Sequence, residues 1–372
     1  MIYKEIIIIG GGLGGLIAAH QLAKAGREVL VIEKKRYPFH RVCGEYISNE
    51  VKDFLNKEGL FPQDFYPSNI TQFELGSIKG NLANISLDLG GFGISRYVLD
   101  QFIFEECQKE GAEFMLQVQV EEADYDPKIE QFQLLLSDGR QLECKYLIGA
   151  FGKRSKLDKS LDREFMQKRS PFIGVKYHIQ TDFDADKVAL YNFEGGYCGI
   201  NQIEEGKFNL CYLGNSQHLK KYGSVASLEE NVLCKNPQLN HLFNNSDFLF
   251  EKPEVINEIS FEPKPLIENH ILMIGDAAGL ITPLCGNGMA MAIHSAKILS
   301  ECLLKFSDRN QIETEYSRIW NKNFKSRLWI GRRVQWLFGS NAFSELSVSL
   351  IKNNKLLAKQ IIKRTHGDVI EV

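Results

Sequence analysis

An α/β fold with an inserted antiparallel sheet and a helical C-terminal region is predicted by three stretches of the chain. The first, IIIIGGGLGGLIAAHQLAKAGREVLVIE at residues 6–33, reads strand, glycine turn, helix, strand. The second is a run of short strands between residues 170 and 260, punctuated by turn residues. The third, ILMIGDAAGLITPLCGNGMAMAIHSAKIL at residues 271–299, reads strand, turn, apolar helix.

In the first stretch four isoleucines form a buried strand, and Leu16, Ala19 and Leu22 follow at helical spacing. Ala25-Gly26 ends that helix where a left-handed C-cap is needed, and Val29 to Ile32 form a second strand ending in Glu33. Gly10 makes the turn, Gly12 lets the backbone approach a pyrophosphate, and Gly15 lets helix and strand pack closely, with Leu13 and Gly14 opening the helix between them. The helix N-terminus, with unpaired N–H groups and a favourable dipole, is the place for an anion. Glu33 stands 18 residues beyond Gly15, where a Rossmann-like unit uses a carboxylate to bind the hydroxyls of an adenosine ribose. A carboxylate there repels a 2′-phosphate, so the reading is FAD or NAD rather than NADP.

Composition narrows the rest. The chain has 372 residues, 44% hydrophobic and 24% charged, enough for one large domain or two coupled ones. A net charge of −3 gives no reason to expect a nucleic-acid partner. Apolar runs fall short of the roughly 18 uninterrupted residues of a membrane span, and the N-terminal run leads into a glycine turn rather than a cleavage site, so a cytoplasmic protein is expected. Eight scattered cysteines without a CxxC pair predict reduced thiols and no metal site.

After Glu33 comes KKRYPFHRVCGEYIS, a loop carrying Arg41, Cys43 and Glu45, then a helix from about Asn49 to Lys57 with Ser48 as N-cap. Two readings of the loop stand side by side: a buried small Cys43 with a solvated Arg41, or a cover over a bound ligand. Residues 66–89 alternate as strands, and a helix follows with Val98, Leu99, Phe102, Ile103 and Cys107 on one face and Gly111 as its stop. Arg96 opens that helix, where a cation opposes the dipole. It serves either an anionic ligand or a surface ion pair with Asp100 or Glu105. Residues 114–148 alternate through short strands, and Tyr146 to Ala150 return to the first sheet.

The second unit has strands near Ile173–Ile179, Val188–Phe193, Tyr197–Ile203 and Phe208–Leu213, with a hairpin turn at 204–207 and a helical stretch from about Ser227 to Phe243. Such a sheet would wall a substrate cleft. In the third stretch Asp276 ends a strand among small residues, and Gly286, Asn287 and Gly288 lead into a helix start that exposes N–H donors.

These motifs carry a family resemblance. Together with SRYVLDQFIFEECQKEGA and LIGAFGKRS, the glycine turn and GDAAGLITPLCGNGM make the chain similar to FAD-dependent oxidoreductases built like p-hydroxybenzoate hydroxylase, most of all to their geranylgeranyl reductase-like branch. The resemblance implies that Gly10, Gly12, Gly15 and Glu33 hold the ADP half of FAD. Arg41 and Arg96 would reach phosphate or ribityl oxygens, Val120 would present its backbone to adenine, Asp276 would bind the ribityl hydroxyls, and the helix after Gly288 would point at flavin N1 and O2. HRVCGEYIS resembles the loop over the ring, and FEGGYCGINQIEEGKFNLCYLG the substrate-sheet signature. Phe151 departs from the pattern, since hydroxylases of this fold carry Asp-Gly where this chain has Phe151-Gly152. NAD(P)H is therefore expected only as an external reductant, and the paired-tryptophan motif of flavin halogenases is missing.

The bounds that follow are 1–65, 90–169 and 263–305 for the FAD unit, 66–89 and 170–262 for the substrate sheet, and 306–372 for the C-terminal helices. The expected function is reduction of a hydrophobic small molecule, isoprenoid or polyketide, by hydride transfer through flavin N5, with Cys43, Tyr191 and Tyr197 lining the pocket or donating the proton. The alternatives are a monooxygenase acting through a C4a-hydroperoxide and a non-catalytic flavin-binding protein. Between Arg318 and Arg364 cations interleave with Trp329, Trp336, Leu337, Phe338, Leu350 and Leu356 against a single acid, Glu345. That pattern reads as a helical cap with solvated basic faces, or as peripheral contact with an anionic membrane.

Overall fold

The structure, a computed structural model, describes residues 2–168, 170–257, 259–281, 287–335, 339–354 and 367–371. The chain opens with β1 (Ile2–Ile9), α1 (Leu13–Lys24) and β2 (Val29–Glu33). A loop leads to β3 (Tyr46–Ser48), α2 (Lys52–Glu58) and a long hairpin, β4 (Ser68–Gly76) with β5 (Leu82–Gly93). Then come α3 (Arg96–Lys109), β6 (Glu113–Leu116), β7 (Val120–Asp126), β8 (Gln131–Leu136) and β9 (Gln141–Gly149). The short α4 (Lys156–Ser160) precedes β10 (Phe172–Gln180), β11 (Lys187–Phe193), β12 (Gly196–Gln202) and β13 (Phe208–Asn215). Next are α5 (Ser216–Tyr222), α6 (Val225–Asn231) and α7 (Pro237–Asn245), followed by β14 (Asp247–Phe248), β15 (Glu254–Asn257), β16 (Ile267–Glu268) and β17 (Ile271–Met273). The chain then runs through α8 (Gly288–Lys305), α9 (Arg309–Gln335) and α10 (Asn341–Asn353).

The first sheet has the order β16-β17-β9-β1-β2-β6 and is parallel from β17 to β6. Parallel strands buried on both faces read as continuous apolar runs, and Ile6 to Ile9 and Val29 to Ile32 do so. The second sheet has the order β14-β10-β13-β12-β11-β4-β5-β3, with β15 added to β10. It is antiparallel except where β4 meets β11 in parallel, a pairing that no turn in the sequence marks. Strand pairing also redraws the expected bounds: Tyr46–Ser48 joins the second sheet, and the hairpin reaches Gly93. The single helical stretch expected at 227–243 is three short helices beginning at Ser216, because Gly223 ends the first in a left-handed conformation and Pro237 starts the last.

Both faces of the second sheet are covered. Strand alternation sends Val175, Tyr177, Tyr191, Cys198 and Tyr212 into a core shared with α6 and α7. It sends Leu75, Leu190, Tyr197 and Leu213 to the other face, where Ile259, Leu280 and Val348 of α10 complete a second cluster. α9 lays Ile312, Tyr316, Trp320, Phe324 and Leu328, a strict helical repeat, on the core of the first sheet. Among the described residues no helix is long and apolar enough to cross a membrane.

Candidate functional site

A cavity of about 700 Å3 runs between the two sheets. One end is built by the carboxyl ends of β1, β2 and β9, where ligands of open parallel sheets bind. Gly10 turns at φ +106°, and a Cβ on Gly15 would lie 2.0 Å from the Gly10 carbonyl oxygen, so α1 packs on the turn only through glycine. No side chain caps α1 at Gly12, which leaves its first N–H groups open to an anion. Arg96 Nη2 and Arg41 Cζ lie 3.6 and 3.9 Å from where a Cβ on Gly12 would stand, so two guanidinium groups face the same spot.

Those cations are held in a buried network. Arg96 donates to both oxygens of Asp100 at 2.6 Å, and Arg41 donates to Asp100 and to Glu33 at 3.2 Å. The Arg96–Asp100 pair is therefore real but buried, not a surface pair, and Arg41 is a partnered wall residue rather than a solvated charge. Glu33 is 3% exposed; its carboxylate accepts from the Gly11 and Lys35 N–H groups at 2.9 and 3.0 Å. Val118 donates to the Glu33 carbonyl at 3.3 Å, bringing Gln119 and Val120 to the cavity beside it.

GDAAG closes the opposite side. Lys264 Nζ donates to the carbonyls of Lys153 and Asp276 at 2.8 and 2.9 Å, and the fully buried Arg163 donates to the Ala277 carbonyl at 3.1 Å. Burial pulls the Lys264 ammonium down to about 8 against the pull of Asp158 and Asp276. These two cations fix the backbone that carries Asp276 to the cavity. Asn287 and Gly288 line it too; Asn287 donates to the buried Glu50 at 3.2 Å, and its side chain makes no capping bond to α8 among the described residues. Gly286 lies outside the described residues. Phe151 also lines the cavity, its ring so close to Gly149 that a Cβ there would lie 2.9 Å from it.

The loop over the cavity is fastened carbonyl by carbonyl. Lys176 donates to the Arg41 carbonyl at 3.2 Å, Lys153 to that of Val42 at 3.4 Å, Asn209 to that of Gly44 at 2.8 Å and Asn201 to that of Glu45 at 3.3 Å. Cys43 sits inside this clamp, half-buried and at the cavity wall. Glu45, fully buried with φ +52°, pairs with Lys176, binds His178 Nε2 at 2.7 Å and accepts the Arg96 N–H at 2.7 Å. Burial alone would raise its carboxyl, but Lys176 and His178 outweigh that and hold it at about 2. Burial with Lys176 and His178 nearby brings His40 to about 4, so it is neutral at pH 7.

Of this cluster only Glu45 is singled out from sequence, as a loop residue, and not Lys176 or His178, although their signal is present. In FIGVKYHIQ, Lys176 and His178 share one strand face with Gly174, an uncommon polar pair in a buried strand. A correction concerns Tyr191: it faces away from the cavity and donates to Glu74 at 2.7 Å in the core beneath α7. Tyr197, of opposite parity, lines the cavity with Leu190, Leu213, Ile256, Ile259 and Leu280. Gly174 and Gly199 keep that wall low, and Cys211 stands beside Cys43's side of it, its thiol pushed up to about 12 by burial.

The residues present fit FAD: an uncapped helix start facing two arginines, a buried acid one strand away, and a long cavity leading past Asp276 to a second uncapped helix. The sequence matches the family model described as "FAD binding domain" over residues 3–310. It is 23% identical over 338 residues to the digeranylgeranylglycerophospholipid reductase of Methanosarcina acetivorans, covering 86% of this chain and 80% of that protein. It is 22% identical over 322 residues to the menaquinone reductase of Mycobacterium tuberculosis, covering 80% and 76%. Among solved structures the flavin-dependent brominase Bmp2 shares the fold, with a TM-score of 0.80, 18% identity, and coverage of 99% of this chain and 94% of that one.

Proposed function

The chain belongs to the FAD binding domain family and is an FAD-dependent oxidoreductase, and from that premise we propose that it reduces a carbon–carbon double bond in an unsaturated isoprenoid lipid. The observation that carries this reading is the apolar chamber. The polar end of the cavity opens onto Leu190, Tyr197, Leu213, Ile259 and Leu280, a wall suited to a hydrocarbon chain and poor in groups that would orient a polar ring. The names of the two reductases above support it, one acting on a digeranylgeranyl phospholipid and the other on menaquinone.

Bound FAD would supply hydride transfer, which this chain's own side chains cannot perform. The α1 N-terminus, Arg41 and Arg96 would hold the diphosphate, Glu33 the ribose and Asp276 the ribityl hydroxyls. The α8 N-terminus favours negative charge near it and so favours the reduced cofactor. The clamp through Lys176, Asn201, Asn209 and Lys153 holds the loop rigid and keeps water from the reacting carbon. Cys43 Sγ–H and Tyr197 O–H, both at the cavity wall, are the donors proposed for the proton that completes reduction. An external donor, NAD(P)H or another reduced carrier, delivers the electrons.

The test is anaerobic. Protein reduced with dithionite is mixed with a detergent-solubilised geranylgeranyl lipid, and flavin absorbance is followed with product mass. Return of oxidised flavin together with a gain of two mass units per reduced bond is the expected result. Reoxidation only after oxygen is admitted, with an oxygen atom added to an aromatic substrate, would make the protein a monooxygenase. Indifference of the flavin to both would make it a non-catalytic flavoprotein.

A further inference from the structure

We propose that α9 and α10 form a docking face for an anionic bilayer surface; the proposal rests on the lipid-substrate reading and names where that substrate would enter. While α9 buries Ile312, Tyr316, Trp320, Phe324 and Leu328, its opposite face carries Lys322, Lys325, Trp329 and Arg333 at helical spacing, all exposed. Trp329 is 52% exposed, and the Arg333 guanidinium lies 4.3 Å from its ring centroid. A half-exposed indole under a cation suits the headgroup layer, where an apolar body and a charged tip are both satisfied.

α10 is apolar on two faces. Inward, Val348 and Ile351 join the cluster of Leu190, Tyr197, Leu213 and Leu280 that walls the chamber. Outward, Leu346 and Leu350 stand one turn apart at 54% and 46% exposure, flanked by Ala342 and Ser349 with no charge on that face. The N-terminal half of α10 is fastened to the β4–β5 turn: Ser344 Oγ accepts the Ile78 N–H at 3.4 Å, and Glu345 accepts from the Lys79 N–H and Asn81 Nδ2 at 3.3 and 2.8 Å. The carboxylate of Glu345 is thus engaged by the β4–β5 turn. From Leu346 to Gly367 the sequence holds no acid, while Lys352, Lys355, Lys359, Lys363 and Arg364 fall within it. In a chain of net charge −3 these cations are concentrated in the sequence that follows the exposed leucines, a composition complementary to anionic headgroups; Lys352 lies among the described residues and the other four outside them. The helix that would touch lipid also packs on residues that wall the chamber, Leu190, Tyr197, Leu213 and Leu280.

The experiment is flotation of the flavin-loaded protein with phosphatidylcholine vesicles, with and without phosphatidylglycerol. The expected result is flotation with the anionic vesicles alone, weakened by salt. The triple variant W329S/L346S/L350S should partition about tenfold or more less strongly, with flavin content unchanged as the sign that it folds. A second variant, K325E/R333E, should lose anionic binding while keeping all its apolar side chains. Equal flotation on neutral vesicles, or equal partition of parent and triple variant, would overturn the proposal. Reoxidation of the reduced protein by detergent-solubilised lipid without vesicle binding would remove the docking face and leave the substrate reading intact. Vesicle binding by this face with no reoxidation by any isoprenoid lipid would do the reverse.

Discussion

The two ends of the cavity are built on different principles. At the dinucleotide end, the groups that face a ligand include, beside the side chains of Arg41, Arg96 and Glu33, backbone exposed by glycine: the turn at Gly10, the open helix start after Gly12 and the close contact at Gly15. At the substrate end they are side chains, and what aligns them is a buried charge cluster, Glu45 with Lys176 and His178, that ties the cover loop to β10. The first end recognises a ligand by shape and partial charge that any member of the fold could present. The second depends on side chains brought together from distant parts of the chain.

Replacing Gly15 with Val tests the backbone end most severely. A Cβ 2.0 Å from a backbone oxygen cannot be accommodated by a side-chain shift, so the variant should lose at least about 3 kcal/mol of stability and its flavin together. Chemical denaturation and flavin absorbance check this, and a stable, flavin-loaded variant would show that close packing at the turn is unnecessary.

Lys176→Met tests the charge cluster. Removing the cation leaves Glu45 buried with only His178 and the Arg96 N–H as partners of its side chain, at a cost of about 3 kcal/mol, most of which the double variant with Glu45→Gln should restore. The pH dependence has a definite sign. With a folded pKa of about 2, below the usual carboxylate value of 4.5, Glu45 contributes stability above pH 4.5 that is lost as pH falls towards 2. Glu45→Gln should flatten that acid arm; an unchanged acid midpoint would remove Glu45 from the account.

The smallest effects separate two tyrosines. Tyr197→Phe should slow turnover roughly tenfold if its hydroxyl delivers the proton, with little change in stability. Tyr191→Phe should cost about 1 kcal/mol of stability through the lost bond to Glu74 and leave turnover unaltered. If Tyr191→Phe slows turnover and Tyr197→Phe does not, the face assignment of the second sheet is wrong.

That pair also marks how far the sequence could be read. The strand–turn–helix around Gly10 to Gly15, the return strand at Tyr146 to Ala150 and the GDAAG turn were legible because each is local and its residues have few other uses. The face of Tyr191 was not: both faces of β10–β13 are buried, so the sequence lacks the polar alternation that tells in from out. The clamp on the cover loop was out of reach for a different reason. Arg41, Gly44 and Glu45 meet Lys176, Asn209 and Asn201 across more than a hundred residues, and carbonyl contacts leave no mark on the accepting side chain. The parallel pairing of β4 with β11 joins two hairpins without a turn between them and was equally unmarked.

One continuous cavity joins the Gly10–Glu33 and Asp276 walls to Cys43, and FAD is proposed to lie along the first two with Cys43 at the reacting end. The most direct test of this placement is the flavin-to-protein ratio of purified Asp276→Ala set against that of Cys43→Ala. Loss of most flavin from the Asp276 variant, with near-full retention in the Cys43 variant, is the predicted result. Equal, full occupancy in both would contradict the assignment of the site.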